Sequence, residues 1–73
     1  MPQERIESPL PGTIVGVSVS EGSKVNEGDE LCLLESMKME NPILAPLSGI
    51  VSQIRIEKGQ TVQASALLMV IGY

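Results

Sequence analysis

The chain has 73 residues with nine acidic and five basic side chains, a net charge of −4 and no histidine. Such a length suffices for one domain with a small core. The acidic balance argues against binding to nucleic acid or to an anionic membrane surface, because both require basic patches. The longest apolar run, from Ala66 to Ile71, is too short to cross a bilayer, so direct membrane insertion is not expected.

Cys32 is the only cysteine, which excludes an internal disulfide and fits a reducing compartment. We interpret it as a small buried residue of a strand rather than as a reactive thiol. The residues after Met1 are polar and contain no apolar segment of the kind found in secretory signals. A cytoplasmic location is therefore the expectation, either for a free-standing small protein or for a domain cut from a longer one.

In chain order, residues 1–6 are expected to form a short, loosely held polar lead-in, and residues 7–73 a single domain. From Pro9 onward, Gly and Pro residues mark turns every several positions, and the runs between them are short and rich in β-branched side chains. Between Val17 and Ser20, valine alternates with serine, which is typical of a strand with one buried face. The sequence therefore predicts an all-β domain.

The chain contains two copies of one pattern, offset by 37 residues. Identical matches include those of Pro9, Leu10, Gly12, Gly22, Val25 and Leu31 with Pro46, Leu47, Gly49, Gly59, Val62 and Leu68. We predict a flattened β-barrel of two four-stranded sheets related by pseudo-twofold symmetry. Each copy alone is too small to close a core, so both copies are needed.

The alternation of apolar and polar residues slips at the same place in both copies. Ile14 and Val17 are three residues apart, as are their counterparts in the second copy. If both members of each pair face the core, one extra residue must be absorbed between them. We therefore expect a β-bulge near Gly16 and another near Gln53.

Residues 33–40 are mostly good helix formers, and propensity alone favours a helix there. However, Asn41 and Pro42 impose an extended stop soon afterwards, and Leu34 corresponds to Ile71 in a terminal strand of the second copy. A helix of this length is also weak by itself. We therefore predict a hairpin whose turn spans residues 36–39. Type I, which tolerates most residues, is the expected turn, although the absence of Gly and Asn leaves the type open.

Lys38 lies at this predicted turn, between Met37 and Met39. A solvated loop lysine is the simplest interpretation, but methionines on an exposed turn suggest a surface that a partner binds. Lysine amines are protonated at neutral pH and become nucleophilic only after desolvation or beside a cation. Glu35 and Glu40 have the opposite sign. We therefore expect Lys38 to be modified by an enzyme that supplies an activated acyl group.

Residues 35–39, Glu-Ser-Met-Lys-Met, resemble the biotin attachment motif Glu-Ala-Met-Lys-Met of biotin carboxyl carrier domains. Ser36 replaces the commoner alanine, a small change that should leave the turn intact. The segments Pro9–Gly12 and Ala45–Gly49 are also similar to that family, and the likeness extends from Ile6 to Gly72. The resemblance implies the biotinyl/lipoyl fold, a barrel-sandwich hybrid, which agrees with the fold that the repeat predicts.

By that resemblance, Lys38 carries covalent biotin, which a biotin protein ligase attaches from biotinyl-adenylate. Met37 and Met39 would be the flanking recognition residues, and Glu35 and Ser36 the rest of the motif. A biotin carboxylase would load a carboxyl group, and a carboxyltransferase or decarboxylase subunit would receive it, with the modified lysine as a swinging arm. The domain would be a carrier with no catalytic residue and no metal site.

Two alternatives stay open on the sequence alone. A lipoyl domain has the same fold, but it usually places Asp before the lysine and Ala after it, where this chain has Met37 and Met39. An unmodified interaction module would bind a partner through the same turn, with Lys38 incidental. An autonomous enzyme is disfavoured, because the chain has no His, no paired-Cys metal spacing, no phosphate-binding Gly-Lys-Ser/Thr motif and no Gly-x-Ser-x-Gly motif.

Overall fold

The computed structural model describes residues 2–73, which form eight β-strands and no helix. The strands are β1 (Gln3–Glu7), β2 (Gly12–Val17), β3 (Lys24–Val25), β4 (Glu30–Ser36), β5 (Met39–Leu44), β6 (Gly49–Ile54), β7 (Thr61–Val62) and β8 (Leu67–Gly72). Two four-stranded sheets result, with strand orders β1-β8-β6-β3 and β5-β4-β2-β7. All strand pairs are antiparallel. The predicted all-β sandwich of two four-stranded sheets is confirmed.

The two sheets repeat one another strand by strand at the offset found in the sequence. β1, β2, β3 and β4 of the first half correspond to β5, β6, β7 and β8 of the second. Each sheet contains two strands of each half: β1 and β3 of the first half flank β8 and β6 of the second, and β5 and β7 of the second flank β4 and β2 of the first. The halves therefore interlock, which explains why neither can close a core alone.

Both predicted bulges are present. The β2–β4 register shifts between Ile14 and Gly16, and the β6–β8 register shifts between Val51 and Gln53. Each shift absorbs one residue, so that Ile14 and Val17 can both face inward. Ile14 is completely buried, and Val17 packs against the core.

The core between the sheets is almost entirely aliphatic. Nine side chains are less than 2 % exposed: Ile14, Leu31, Leu34, Leu68, Met69, Ile71, Val25, Val51 and Cys32. Cys32 is thus a buried, unpaired thiol, as predicted. Burial, with a smaller contribution from the carboxylate of Glu30, raises the pKa of the Cys32 thiol to about 11. A thiol that stays protonated is a poor nucleophile, which fits a packing role for this residue.

The expected loose lead-in of residues 1–6 is wrong for most of its length. β1 begins at Gln3 and pairs with β8 from Gln3↔Gly72 to Glu7↔Leu67. Only Ile6 of this strand is buried, because β1 is the edge of its sheet and its other side chains meet solvent. An edge strand with one buried side chain has too little apolar pattern to be found from composition. Met1 lies outside the described residues.

Within residues 2–73, no helix is long and apolar enough to span a membrane.

Candidate functional site

The hairpin formed by β4 and β5 presents the predicted site residues. Its ladder runs through Leu34↔Asn41 and Glu35↔Glu40 to Ser36↔Met39. The last rung leaves Met37 and Lys38 as a two-residue loop. The predicted hairpin is therefore confirmed, and Lys38 lies at its tip.

The backbone of this loop is left-handed at both positions, with φ of 55° at Met37 and 64° at Lys38. Positive φ at both central residues characterises a type I′ turn, so the expected type I turn is wrong. The reason is geometric, because a two-residue hairpin loop must match the right-handed twist of its strands, and primed turns do so. Left-handed backbone at residues other than Gly costs about 1–2 kcal/mol per position. The long β4–β5 ladder has to hold the strained loop in place.

Two contacts from the start of β2 support the hairpin from below. The hydroxyl of Ser36 donates a hydrogen bond to the carbonyl oxygen of Pro11, with an Oγ–O distance of 2.7 Å. Gly12 packs directly under the carbonyl of Glu35, where a Cβ atom would clash with that oxygen and meet Leu34 at 3.1 Å. The base of the turn is therefore fixed to a segment about 25 positions earlier in the chain.

No feature of the sequence indicates the Ser36 contact. Ser36 looked like a neutral replacement for alanine, and only the sheet topology brings its hydroxyl to Pro11. The hydrogen bond ties down the residue that precedes the strained loop. Ser36 thus supports the turn structurally. Its side chain is half-buried rather than fully exposed to solvent.

The side chains at the tip are exposed. Met37 is 90 % and Met39 66 % exposed, whereas Met69 in the core is fully buried. Neither tip methionine is folded back onto the sheet, which removes the simplest structural explanation for an apolar residue there. Asn41 supports the end of the turn by donating from Nδ2 to the carbonyl oxygen of Met39, at 3.2 Å. Two flexible apolar side chains therefore flank Lys38 in solvent.

The amine of Lys38 is accessible and free of ion pairs within the described part of the chain, where Arg5–Glu7 is the one salt bridge. Glu35 and Glu40 face each other across the ladder one rung below the turn. They are exposed carboxylates and form no ion pair with the lysine. Activation of a lysine amine requires desolvation or a cationic neighbour, whereas Lys38 is exposed to solvent, so it is suited to accept a group from another enzyme.

Among the described residues, no three His, Cys, Asp or Glu side chains lie close enough together to hold a metal ion. The exposed primary amine is instead a suitable acceptor for an acyl cofactor. It stands at the end of a rigid ladder, and an amide formed there would leave the strands and the core unchanged. The residues present at the tip therefore fit a covalently attached carboxylic acid.

Comparison with known proteins agrees with this geometry. Residues 4–71 match the family model described as "Biotin-requiring enzyme". The chain is 44% identical to the "Biotinylated protein TB7.3 homolog" of Mycobacterium leprae over 68 residues, which cover 93% of this chain and 96% of the relative. It is 48% identical to the biotin carboxyl carrier protein of Streptococcus mutans over 64 residues, which cover 88% of this chain and 49% of that protein.

A solved structure shows the same fold inside a much larger enzyme. The urea carboxylase of Kluyveromyces lactis aligns with a TM-score of 0.91 and 30% sequence identity, covering 99% of this chain and 6% of the carboxylase. The chain thus spans nearly all of one relative, about half of another and a small part of a third. From its sequence and its fold, the chain belongs to the family of biotin-requiring enzymes, in which it is a biotin carboxyl carrier domain.

Proposed function

We propose that Lys38 is the residue to which biotin is attached, by a biotin protein ligase. The observation that carries the proposal is the position of this amine at the tip of a two-residue turn, between the exposed Met37 and Met39. The amine would attack the carbonyl of an activated biotinyl group. The nitrogen loses a proton, the activating group leaves, and a neutral amide forms.

The other lysines occupy places that do not repeat this geometry. Lys24 belongs to the two-residue strand β3, where it pairs with Ile50. Lys58 lies in the turn between β6 and β7, beside Gly59. Neither has methionine neighbours or a hairpin ladder beneath it. A ligase that reads the turn and its apolar flanks would modify Lys38 and leave Lys24 and Lys58 free.

The neighbours of Lys38 have distinct tasks in this proposal. Met37 and Met39 offer the apolar contact by which partner enzymes recognise the tip, since flexible thioether side chains adapt to different surfaces. Glu35 and Ser36 hold the turn, the first through its backbone above Gly12 and the second through its hydroxyl. All four act by recognition or positioning, and none takes part in bond making.

Bound biotin would carry a carboxyl group from a biotin carboxylase to a carboxyltransferase or decarboxylase subunit. The chain's contribution is a rigid tip that presents the modified lysine, as a swinging arm, to successive active sites. Its buried thiol at Cys32 and lack of a disulfide suit a reducing compartment, and we place the protein in the cytoplasm.

The test is transfer of labelled carboxyl groups. The domain is first biotinylated with a ligase, then incubated with a biotin carboxylase, ATP and labelled bicarbonate. We expect label on the wild-type domain and on Lys24→Arg, the matched control, and none on Lys38→Arg, because a guanidinium does not accept the acyl group. Label on Lys38→Arg, or none on the biotinylated wild type, would contradict the proposal.

A second experiment separates biotin from a lipoyl group. Met37→Asp combined with Met39→Ala converts the flanks to those common beside lipoyl-lysine. With a biotin ligase and a lipoyl ligase supplied in parallel, we expect the double variant to lose most biotinylation, since the recognised apolar flanks are gone. Unchanged biotinylation would mean that the two methionines are not the recognition element.

A further inference from the structure

The outer surface of the sheet that carries Lys38 is open to solvent. Alternation along β4 and β5 points six side chains away from the core, and we call them together the attachment face. They are Glu30, Leu33, Glu35, Glu40, Pro42 and Leu44. The cross-strand pairs Glu35↔Glu40, Leu33↔Pro42 and Glu30↔Leu44 place them in three successive rows below the turn.

The attachment face has an apolar centre. Leu44 is 51 % exposed, Pro42 is exposed and Leu33 is half-buried. At the edge of β5 this centre continues into an open groove of about 360 Å³ between β5 and β1. Pro42 and Leu44 line one side of the groove, and the other side, on β1, carries the Arg5–Glu7 ion pair. The surface thus combines exposed apolar area with a concavity, which together are typical of protein docking sites.

The charge of this face is of one sign. Its three glutamates are accompanied by no Lys or Arg on β4, β5, β2 or β7. Glu35 and Glu40 stand directly opposite each other, an arrangement that destabilises an antiparallel pair. The hydroxyl of Ser18 donates to Glu30 Oε2 at 3.2 Å, and among residues 2–73 no Lys or Arg forms a salt bridge with any of the three. The described part of the chain gains no ion pair from these glutamates, and their carboxylates are open to a partner.

The repeat supplies an internal control for this charge pattern. The symmetry-equivalent positions on the other sheet have Gln3 for Glu40, Gly72 for Glu35 and Leu67 for Glu30. That sheet carries two acids, Glu4 and Glu7, and two cations, Arg5 and Lys24, and Glu7 forms an ion pair with Arg5 at 3.6 Å. The glutamates are therefore not shared by the equivalent positions of the two sheets. They occur on the sheet from which Lys38 projects.

We propose that the attachment face docks on a basic, apolar-centred surface beside the active-site mouth of the biotin carboxylase, an inference that rests on the proposed function. An enzyme that takes ATP and bicarbonate must bind anions, which favours Arg and Lys side chains in and around its active site. When Lys38 reaches into that mouth, the face immediately below the turn is the nearest part of the domain. Acylation removes the positive charge of Lys38, which makes this end of the domain more acidic and strengthens the match.

The test compares charge reversals that alter net charge equally. Glu40→Lys changes the attachment face, and Glu57→Lys changes a turn elsewhere. Both proteins and the wild type are biotinylated to completion, which intact mass establishes, and their melting curves are compared. The domain-dependent activity of a biotin carboxylase is then measured over a range of salt concentrations.

We expect Glu40→Lys to lower kcat/KM at low salt by about fivefold or more, through KM, because rim charges act mainly on association. Glu57→Lys should stay within about twofold of the wild type, and the difference should fade at 1 M salt, where the Debye length is about 3 Å. Leu44→Gln should raise KM at every salt concentration, because it removes apolar contact rather than charge.

Equal losses for Glu40→Lys and Glu57→Lys, or no loss for either, would overturn the docking inference while leaving the carrier function in place. An effect of Glu40→Lys confined to kcat would also overturn it. Failure of the biotinylated wild type to serve the carboxylase would overturn the proposed function, and the docking inference with it.

Discussion

The two ends of the pseudosymmetric sandwich have equivalent strand pairs, but only one of these pairs is closed by a turn. On one, the ladder pair Glu35↔Glu40 continues through a two-residue turn that presents Lys38. On the other, the equivalent pair is Gly72↔Gln3, and the two strands are the ends of the chain, with the amide of Tyr73 donating to the carbonyl of Pro2 at 3.0 Å. The repeat produces the fold, and the turn by which the chain connects its two copies is the proposed attachment site.

Lys38 should affect function without affecting stability, which is the largest asymmetry between the ends. Lys38→Ala removes the acceptor amine but no core contact, because the residue is exposed and forms no ion pair in the described structure. We expect complete loss of biotinylation with an unchanged melting temperature. Calorimetry and intact mass on one preparation measure both. An unfolded Lys38→Ala protein would show that the tip contributes to the fold.

The packing glycines Gly12 and Gly49 offer the next comparison. A Cβ on Gly12 would clash with the carbonyl of Glu35, and one on Gly49 with the carbonyl of Gly72. We expect either Gly→Ala change to lower the free energy of unfolding by about 2–3 kcal/mol, because backbone must move to make room. Gly16→Ala, where nothing lies within 4 Å, is the control and should cost little.

The same two variants should differ in function. Gly12→Ala displaces the strand that leads into the turn and should slow biotinylation, whereas Gly49→Ala disturbs only the end with the chain termini. Initial ligase rates are to be compared at a temperature where both variants are folded. Equal rates for the two would mean that the support beneath Glu35 does not position Lys38.

Val25 and Val62 test the symmetry of the core. They are equivalent residues on the short strands β3 and β7, 2 % and 4 % exposed. Truncation of either to Ala should destabilise by about 1–3 kcal/mol through the cavity it leaves, and the two values should agree closely. Urea unfolding provides the measurement. A large difference would show that one sheet contributes more to stability than the other.

Gly28 and Ser65 are equivalent positions at which the copies differ. Both have positive φ, 91° and 69° respectively, and their amides donate to the equivalent carbonyls of Ala45 and Ser8. Only glycine adopts this conformation without strain. We expect Ser65→Gly to stabilise slightly and Gly28→Ser to destabilise by about 1 kcal/mol. Matched urea unfolding curves measure this smallest effect, and destabilisation by Ser65→Gly would contradict it.

Much of the fold followed from the repeat, because spacing constrains which side chains can share one thin core. The paired bulges near Gly16 and Gln53 were predictable, since two inward residues three apart require an extra residue. Strand β1 was not predicted, because it is an edge strand in which only Ile6 is buried, and one buried side chain produces no alternation of apolar and polar residues. Strands with several buried side chains could therefore be predicted from the sequence, and the strand with only one could not.

At the site, position was predictable and local geometry was not. The hairpin followed from the correspondence of β4 with β8, but the left-handed backbone of Met37 and Lys38 contradicts their individual preferences. The β4–β5 ladder below the turn imposes this left-handed conformation. The Ser36–Pro11 hydrogen bond likewise depends on tertiary placement that neither residue signals. The proposed acceptor lysine can be identified from the sequence, whereas the contacts that support its turn depend on the strand topology.

The most direct test of the central claim is peptide mapping of the wild-type chain after reaction with a biotin ligase, biotin and ATP. We predict one biotinyl group per chain, on the peptide that contains Lys38, and none on the peptides that contain Lys24 or Lys58. A folded chain that stays unmodified in the presence of a competent ligase, or one modified at either of the other lysines, would contradict the claim that the bridging turn is the attachment site.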